Sequence, residues 1–188
     1  MVEGKNNLEN EAEIVGRAKT DDAAFEILYN HYFPKIYGYV FRRIGNREAA
    51  EDIVSNVFLK VFSNLKKYED RGFTFGSWVY RIATNSLMDH YRRNKPGMEV
   101  ELEEKDGENF SDNNQITSVE QKQDRAAIEK VLQKMPERYR EIINLRFFAE
   151  LEIEEIAVTL KISKPHASVL LHRALNKFKS VCGNDFAE

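Results

Sequence analysis

The chain has 188 residues, a formal net charge of -3, one cysteine and four histidines. That length allows one or two globular domains. The acidic balance excludes a protein that coats nucleic acid through its overall charge, so any DNA contact must come from local basic patches. A lone thiol, Cys182, cannot build an intrachain disulfide framework, which fits a reducing cytoplasm, and neither an apolar export segment nor a membrane-spanning run is seen.

Nothing alternates with strand period and no internal repeat is present, so the expected fold class is all-α. After a polar N-terminal extension, residues 1–20, Asp21 or Asp22 caps a helix with the stripe Phe25, Leu28, Tyr29 and Tyr32. Pro34 is expected to kink or interrupt it before Ile36, Val40 and Ile44, and Gly45-Asn46 ends it. From Arg47 to Leu65 the residues Ala50, Ile53, Val54, Val57, Val61 and Leu65 recur on one helical face, with Glu48, Asp52, Ser55, Leu59 and Ser63 opposite. A loop from Lys66 to Phe75 leads to a third helix that buries Val79, Ile82, Ala83, Ser86 and Leu87 and leaves Arg81, Asn85, Met88, Asp89 and Arg92 outside.

Tyr68, Phe73, Phe75, Trp78 and Tyr80 stand beside Arg71 and Arg81, and rings interleaved with cations suit unpaired bases at about 1–3 kcal/mol per stacked base. Trp78 and Tyr80 suit a small core equally well. Asn85 is an amide able to read a base edge. Residues 96–122, with Pro96, Gly97 and a run of acids from Glu99 to Asp112, read as an acidic flexible linker with too little apolar surface to fold.

Beyond it, Ala127, Ile128, Val131 and Leu132 share one helix, and Pro136 opens the helix of Ile142, Ile143 and Leu145. Ile153, Ile156, Ala157 and Leu160 then lead through Lys161-Ile162-Ser163 into a second amphipathic run, Lys164 to Phe178, the spacing of a helix-turn-helix. The buried stripe of that run is Ala167, Leu171, Ala174, Leu175 and Phe178. Its open face offers Pro165, His166, Val169, Arg173, Asn176 and Lys177, with no Asp or Glu from Lys161 to Cys182. Catalysis has no support: His31, His90, His166 and His172 are scattered, and no phosphate loop or nucleophile motif is present. Glu154-Glu155 and Glu103-Glu104 read as solvated charges.

Taken together, Ala50-Glu51-Asp52-Ile53-Val54, Phe58-Leu59-Lys60, Phe75, Trp78, Tyr80-Arg81-Ile82-Ala83, Asn85, Asp89 and Arg92-Arg93 resemble the first half of a bacterial sigma factor of the sigma-70 family, extracytoplasmic-function (group 4) type. In the second half, Met135-Pro136-Glu137-Arg138, Leu145-Arg146, Glu154-Glu155-Ile156-Ala157, Leu160, Ile162-Ser163 and Leu171-His172-Arg173-Ala174 carry the same resemblance. It implies two small helical domains, residues 21–95 and 123–182, the second with the helix-turn-helix, followed by a tail, 183–188. It further implies a subunit that binds core RNA polymerase, recognises a restricted promoter set and helps melt the minus-ten region, without enzymatic activity, cofactor or metal.

On this resemblance Asp52, Ser55, Leu59 and Lys60 dock on the β′ clamp helices, and the β flap is a further polymerase contact. Arg71, Phe73, Phe75, Trp78, Arg81, Asn85 and Arg92 meet minus-ten DNA. Lys164, Pro165, His166, Val169, Arg173 and Lys177 meet the minus-thirty-five element in the major groove. The linker threads toward the active-site cleft, and many relatives have an anti-sigma partner. Ser55-Asn56 departs from the family's usual Gln-Glu, and Lys161 from its turn glycine. His166, Ser168 and Leu170 stand where the family favours a threonine and two basic residues, so upstream contacts are expected to be weaker than in typical relatives. Two rival readings are a stand-alone helix-turn-helix regulator and a sigma-like interaction module without promoter binding.

Overall fold

The computed structural model describes residues 8–70, 72–94 and 128–185, and every regular element among them is helical. The first half comprises α1 (Glu11–Ala18), α2 (Asp22–Ile44), α3 (Arg47–Leu65) and α4 (Phe75–Asn94). The second comprises α5 (helical residues 128–133), α6 (Glu137–Ile143) running into a π-helical turn at Asn144–Phe148, α7 (Ile153–Leu160) and α8 (Lys164–Asp185). Arg71 and the acidic linker, 96–122, lie outside the described residues.

Side-chain chemistry fixes the helix ends. Asp21 is extended and its carboxylate accepts the Ala23 N–H at 3.0 Å, which caps α2. Gly45 ends that helix at φ 64°, a left-handed conformation open to a residue without a Cβ, and Asn46 caps α3 by accepting the Ala49 N–H at 2.9 Å. The whole expected stripe of α3, from Ala50 to Leu65, is buried.

Three departures follow from packing. α2 is not interrupted at Pro34: the proline and Asn30, whose carbonyl loses its helical donor, are both exposed, so water satisfies the orphaned oxygen. The N-terminal extension holds α1, with Val15 and Ala18 buried and the helix packed on α2. α8 continues to Asp185, beyond the Phe178 at which its pattern was expected to stop.

α7 starts with a capping box, in which the Glu155 carboxylate accepts the Glu152 N–H at 2.9 Å. It stops at Lys161, exposed and held at φ 56°. A side chain in the left-handed region costs about 1 kcal/mol relative to glycine. Lys161→Gly is therefore expected to raise stability by about that amount in a urea titration, and an unchanged or lowered midpoint refutes this.

One apolar cluster runs from α1–α4 into α6–α8, so the two helical units are packed together. Polar contacts cross the same boundary. The Arg43 side chain is 2% exposed and lies between two carboxylates of α6, with Nη2 2.5 Å from Glu137 and Nη1 against Glu141. The Tyr39 hydroxyl donates to Glu141 at 2.5 Å and accepts from Thr84 at 2.8 Å, and the Arg42 guanidinium sits 4.7 Å from the Phe148 ring centre.

Candidate nucleic-acid interface

α3, the loop residues 67–69 and 73–74, α4 and Val158 of α7 surround a cavity of about 680 Å³. Trp78, Arg81 and Asn85 recur at three and four residues along α4 and so share one face, which lines the cavity with Phe73 from the loop and Lys60 from α3. Trp78 is braced by Tyr68 at 4.9 Å and Phe75 at 5.4 Å between ring centres. The Lys60 ammonium donates to Ser86 Oγ at 3.0 Å, which turns it away from the outer face of α3. Burial pushes the Tyr68 phenol up to about 12, so it stays a neutral hydrogen-bonding group at neutral pH. An indole to stack on, an amide to pair with a base edge and two cations for phosphate make a site for an unstacked nucleotide. Asn64 and Lys67 also line the cavity and were missed; both are exposed, Asn64 one helical turn after Lys60 on α3 and Lys67 just beyond the helix end at Leu65.

Several expected assignments change. Phe75 is 3% exposed, with Tyr32 and Tyr68 against its edges at 5.6 and 5.4 Å, so it fills the core and offers no face to a base. Tyr80 is buried likewise, against Tyr39. Arg92 is exposed on α4 and pairs with Asp89 at 3.2 Å. Arg81, Asn85, Met88 and Asp89 are half-buried instead of open, because α7 packs on α4 and Val158 lines the same cavity. Glu155, expected to be solvated, is 7% exposed: its second carboxylate oxygen accepts the Thr74 N–H at 3.1 Å and the Thr74 hydroxyl.

Two more surfaces complete the inventory. Asp52, Ser55 and Leu59 project from the outer side of α3, where Leu59 is 62% exposed and Phe62 lies close by in sequence, exposed as well. On α8, Pro165, His166, Val169, Arg173 and Lys177 are all exposed. Lys164 is ion-paired to Glu154, and His166 Nε2 lies 3.0 Å from Arg138 Nη2. Leu170 is 6% exposed and belongs to the core with Ala167 and Ala174. It is not a vacated basic DNA contact, so the expectation of a weak upstream contact loses that support.

Residues 28–96 match the Sigma-70 region 2 family and residues 125–178 the Sigma-70 region 4 family. The chain belongs to the sigma-70 factors of the extracytoplasmic-function group. It is 31% identical to the ECF RNA polymerase sigma factor SigW of Bacillus subtilis, covering 82% of this chain and 87% of that one. With the ECF RNA polymerase sigma factor BldN of Streptomyces coelicolor it shares 28% identity over 92% of this chain and 66% of the relative's length. Among solved structures, CnrH in complex with the cytosolic domain of CnrY is similar in fold, at 19% identity and a TM-score of 0.67, covering 93% and 98% of the two chains. The RpoE sigma factor in complex with the anti-sigma factor NepR from Bartonella quintana is similar at 17% identity and a TM-score of 0.64, covering 85% and 96%. As a sigma factor the protein directs promoter-specific transcription initiation; α4 lies within the region 2 match, and α7 with α8 as far as residue 178 within the region 4 match. α1 lies ahead of both matched segments.

Proposed function

We propose that the sigma factor docks on the polymerase β′ clamp helices through Asp52, Ser55 and Leu59, and captures an unstacked base of the minus-ten element in the cavity of Trp78, Arg81 and Asn85. Lys60 serves that cavity more than the clamp face, since its ammonium reaches Ser86. Pro165, His166, Val169, Arg173 and Lys177 read or grip the minus-thirty-five element, the polymerase β flap holds region 4, and the protein acts in the cytoplasm. An anti-sigma factor is a further partner of this reading, as one accompanies RpoE of Bartonella quintana. The observation that carries the proposal is the cavity itself, which joins an indole, an amide and cations on one side of α4.

The packed arrangement holds regions 2 and 4 in contact, whereas two promoter elements about 25 base pairs apart are separated by roughly 85 Å at 3.4 Å per pair. Engagement of both elements therefore requires the units to part. Segment 95–127, at no more than about 3.5 Å per residue, can reach roughly 110 Å and so permits it.

The test is transcription from a pool of genomic fragments by core polymerase with and without the protein, together with pull-down of the core enzyme. Selective initiation in its presence is expected, and the net charge of -3 predicts weak duplex binding by the protein alone. Tight, sequence-selective binding without polymerase overturns the reading. In the same assay Asp52→Arg with Leu59→Ala is expected to weaken core association while circular dichroism stays unchanged, since both side chains lie outside the core. Unaltered core affinity removes those residues from the docking face.

A further inference from the structure

The loop that walls the minus-ten cavity has few anchors of its own. Its near end follows α3 through the Tyr68 N–H, which donates to the Leu65 carbonyl at 3.0 Å. Its turn is closed by the Gly72 N–H donating to Asp70 at 2.8 Å, with Gly72 at φ 82°. Its far end is tied to α4, where the Ser77 hydroxyl donates to the Thr74 carbonyl at 2.8 Å, and two further ties come from α1, a helix that no family match covers. Lys19, directly after α1, donates from its ammonium to the Tyr68 carbonyl at 2.8 Å. Glu11, in the first turn of α1, accepts the Phe75 N–H at 3.3 Å with one carboxylate oxygen and the Tyr32 hydroxyl with the other. The two tethers stand eight residues apart, about 12 Å along a helix, and each holds one end of the loop. Between them α1 and the loop line a cleft of about 480 Å³.

We propose that α1 is a positioning element for promoter opening: Glu11 and Lys19 tether the two ends of the 68–75 loop so that Tyr68 and Trp78 are preset to receive the unstacked base. This rests on the proposed minus-ten role of the cavity. The tie from Glu155 of α7 to Thr74 leaves with region 4 when the units part. In the polymerase-bound state Glu11 and Lys19 then hold the loop together with the Thr74–Ser77 contacts of α4. A carboxylate suits the Glu11 position because it presents two acceptors to two donors, and it lies at the N-terminus of α4, where negative charge is favoured. Both contacts lie away from the Leu59 face of α3, so loop geometry and polymerase docking are separable.

The test uses the full chain with Glu11→Gln, Lys19→Met and the pair. Glutamine places a donor against one of the two donors, and methionine keeps the lysine stem without its ammonium. Trp78 is the single tryptophan and touches Tyr68, so its fluorescence reports the loop directly. The pair is expected to shift Trp78 emission, increase its quenching by acrylamide and slow promoter opening with core polymerase by about tenfold or more, the scale of losing charge-assisted hydrogen bonds. Core affinity stays unchanged, and Lys19→Arg, which retains a donor, opens promoters like the unaltered protein. Unchanged Trp78 emission or unchanged opening in the folded pair variant overturns the proposal. Core affinity falling in step with opening also overturns it, because α1 would then be a general prop of region 2. Absence of opening by the unaltered protein would instead defeat the minus-ten reading itself, while the fluorescence arm still tests the tethers.

Discussion

Replacing Arg43 with methionine is expected to part the two helical units without unfolding either. The guanidinium is almost fully enclosed between Glu137 and Glu141, and Glu141 also receives the Tyr39 hydroxyl. Removing the cation leaves Glu141 without its cation and Glu137 with Arg140 alone, at 2.7 Å, in a poorly solvated seam, a loss of about 3–5 kcal/mol when one partner of a buried pair is deleted. That is comparable with the whole stability of many small domains. The apolar stem is retained, and the Tyr91 hydroxyl bonds the Arg43 backbone carbonyl, so α2 and α4 stay joined. Calorimetry should show one cooperative transition splitting into two, and small-angle scattering an increased radius of gyration. A single transition at the original temperature would show that the seam does not hold the units together.

Asn85→Ala is expected to have the next largest effect. An amide that pairs with a base edge discriminates by about 1–3 kcal/mol, which corresponds to roughly a tenfold to hundredfold loss in open complexes and a relaxed preference at one minus-ten position. Permanganate reactivity of unpaired thymines measures the first and a promoter-mutation scan the second. Assays must include core polymerase, because α7 covers part of α4 in the packed state and Val158 shares the cavity with Asn85. Opening at the unaltered rate would make Asn85 a structural residue of the α4–α7 contact.

Much of this was legible in the chain because it is local. The α3 stripe, the cap at Asp21 and the Gly45 stop follow from neighbouring residues and helix geometry, whereas Asn46 was read only as part of that stop and the turn position of Lys161 came from the family resemblance. α1 was readable in principle: Leu8, Ile14, Val15 and Ala18 pack on the core and two acids lie in its first turn, but the surrounding polar residues mask the pattern. Leu170 shows a different failure. Its place three residues after Ala167 and four before Ala174 fits the buried stripe, and alignment to a family's basic positions overrode that periodicity. Glu155 and the half-buried face of α4 were beyond reach, since the partner of Glu155 is Thr74, 81 residues away, and only tertiary docking brings them together. Phe75 looked like a stacking ring because composition cannot tell a ring facing solvent from one facing Tyr32.

The two oxygens of the Glu155 carboxylate have separate duties. Oε2 holds the start of α7 through the Glu152 N–H, while Oε1 reaches across to Thr74. When the units part, Oε1 exchanges its partner for water and Oε2 keeps its own, so the cap of α7 has nothing to rebuild. The same side chain can therefore be engaged and released in every round of initiation while it goes on holding the first turn of α7 in place.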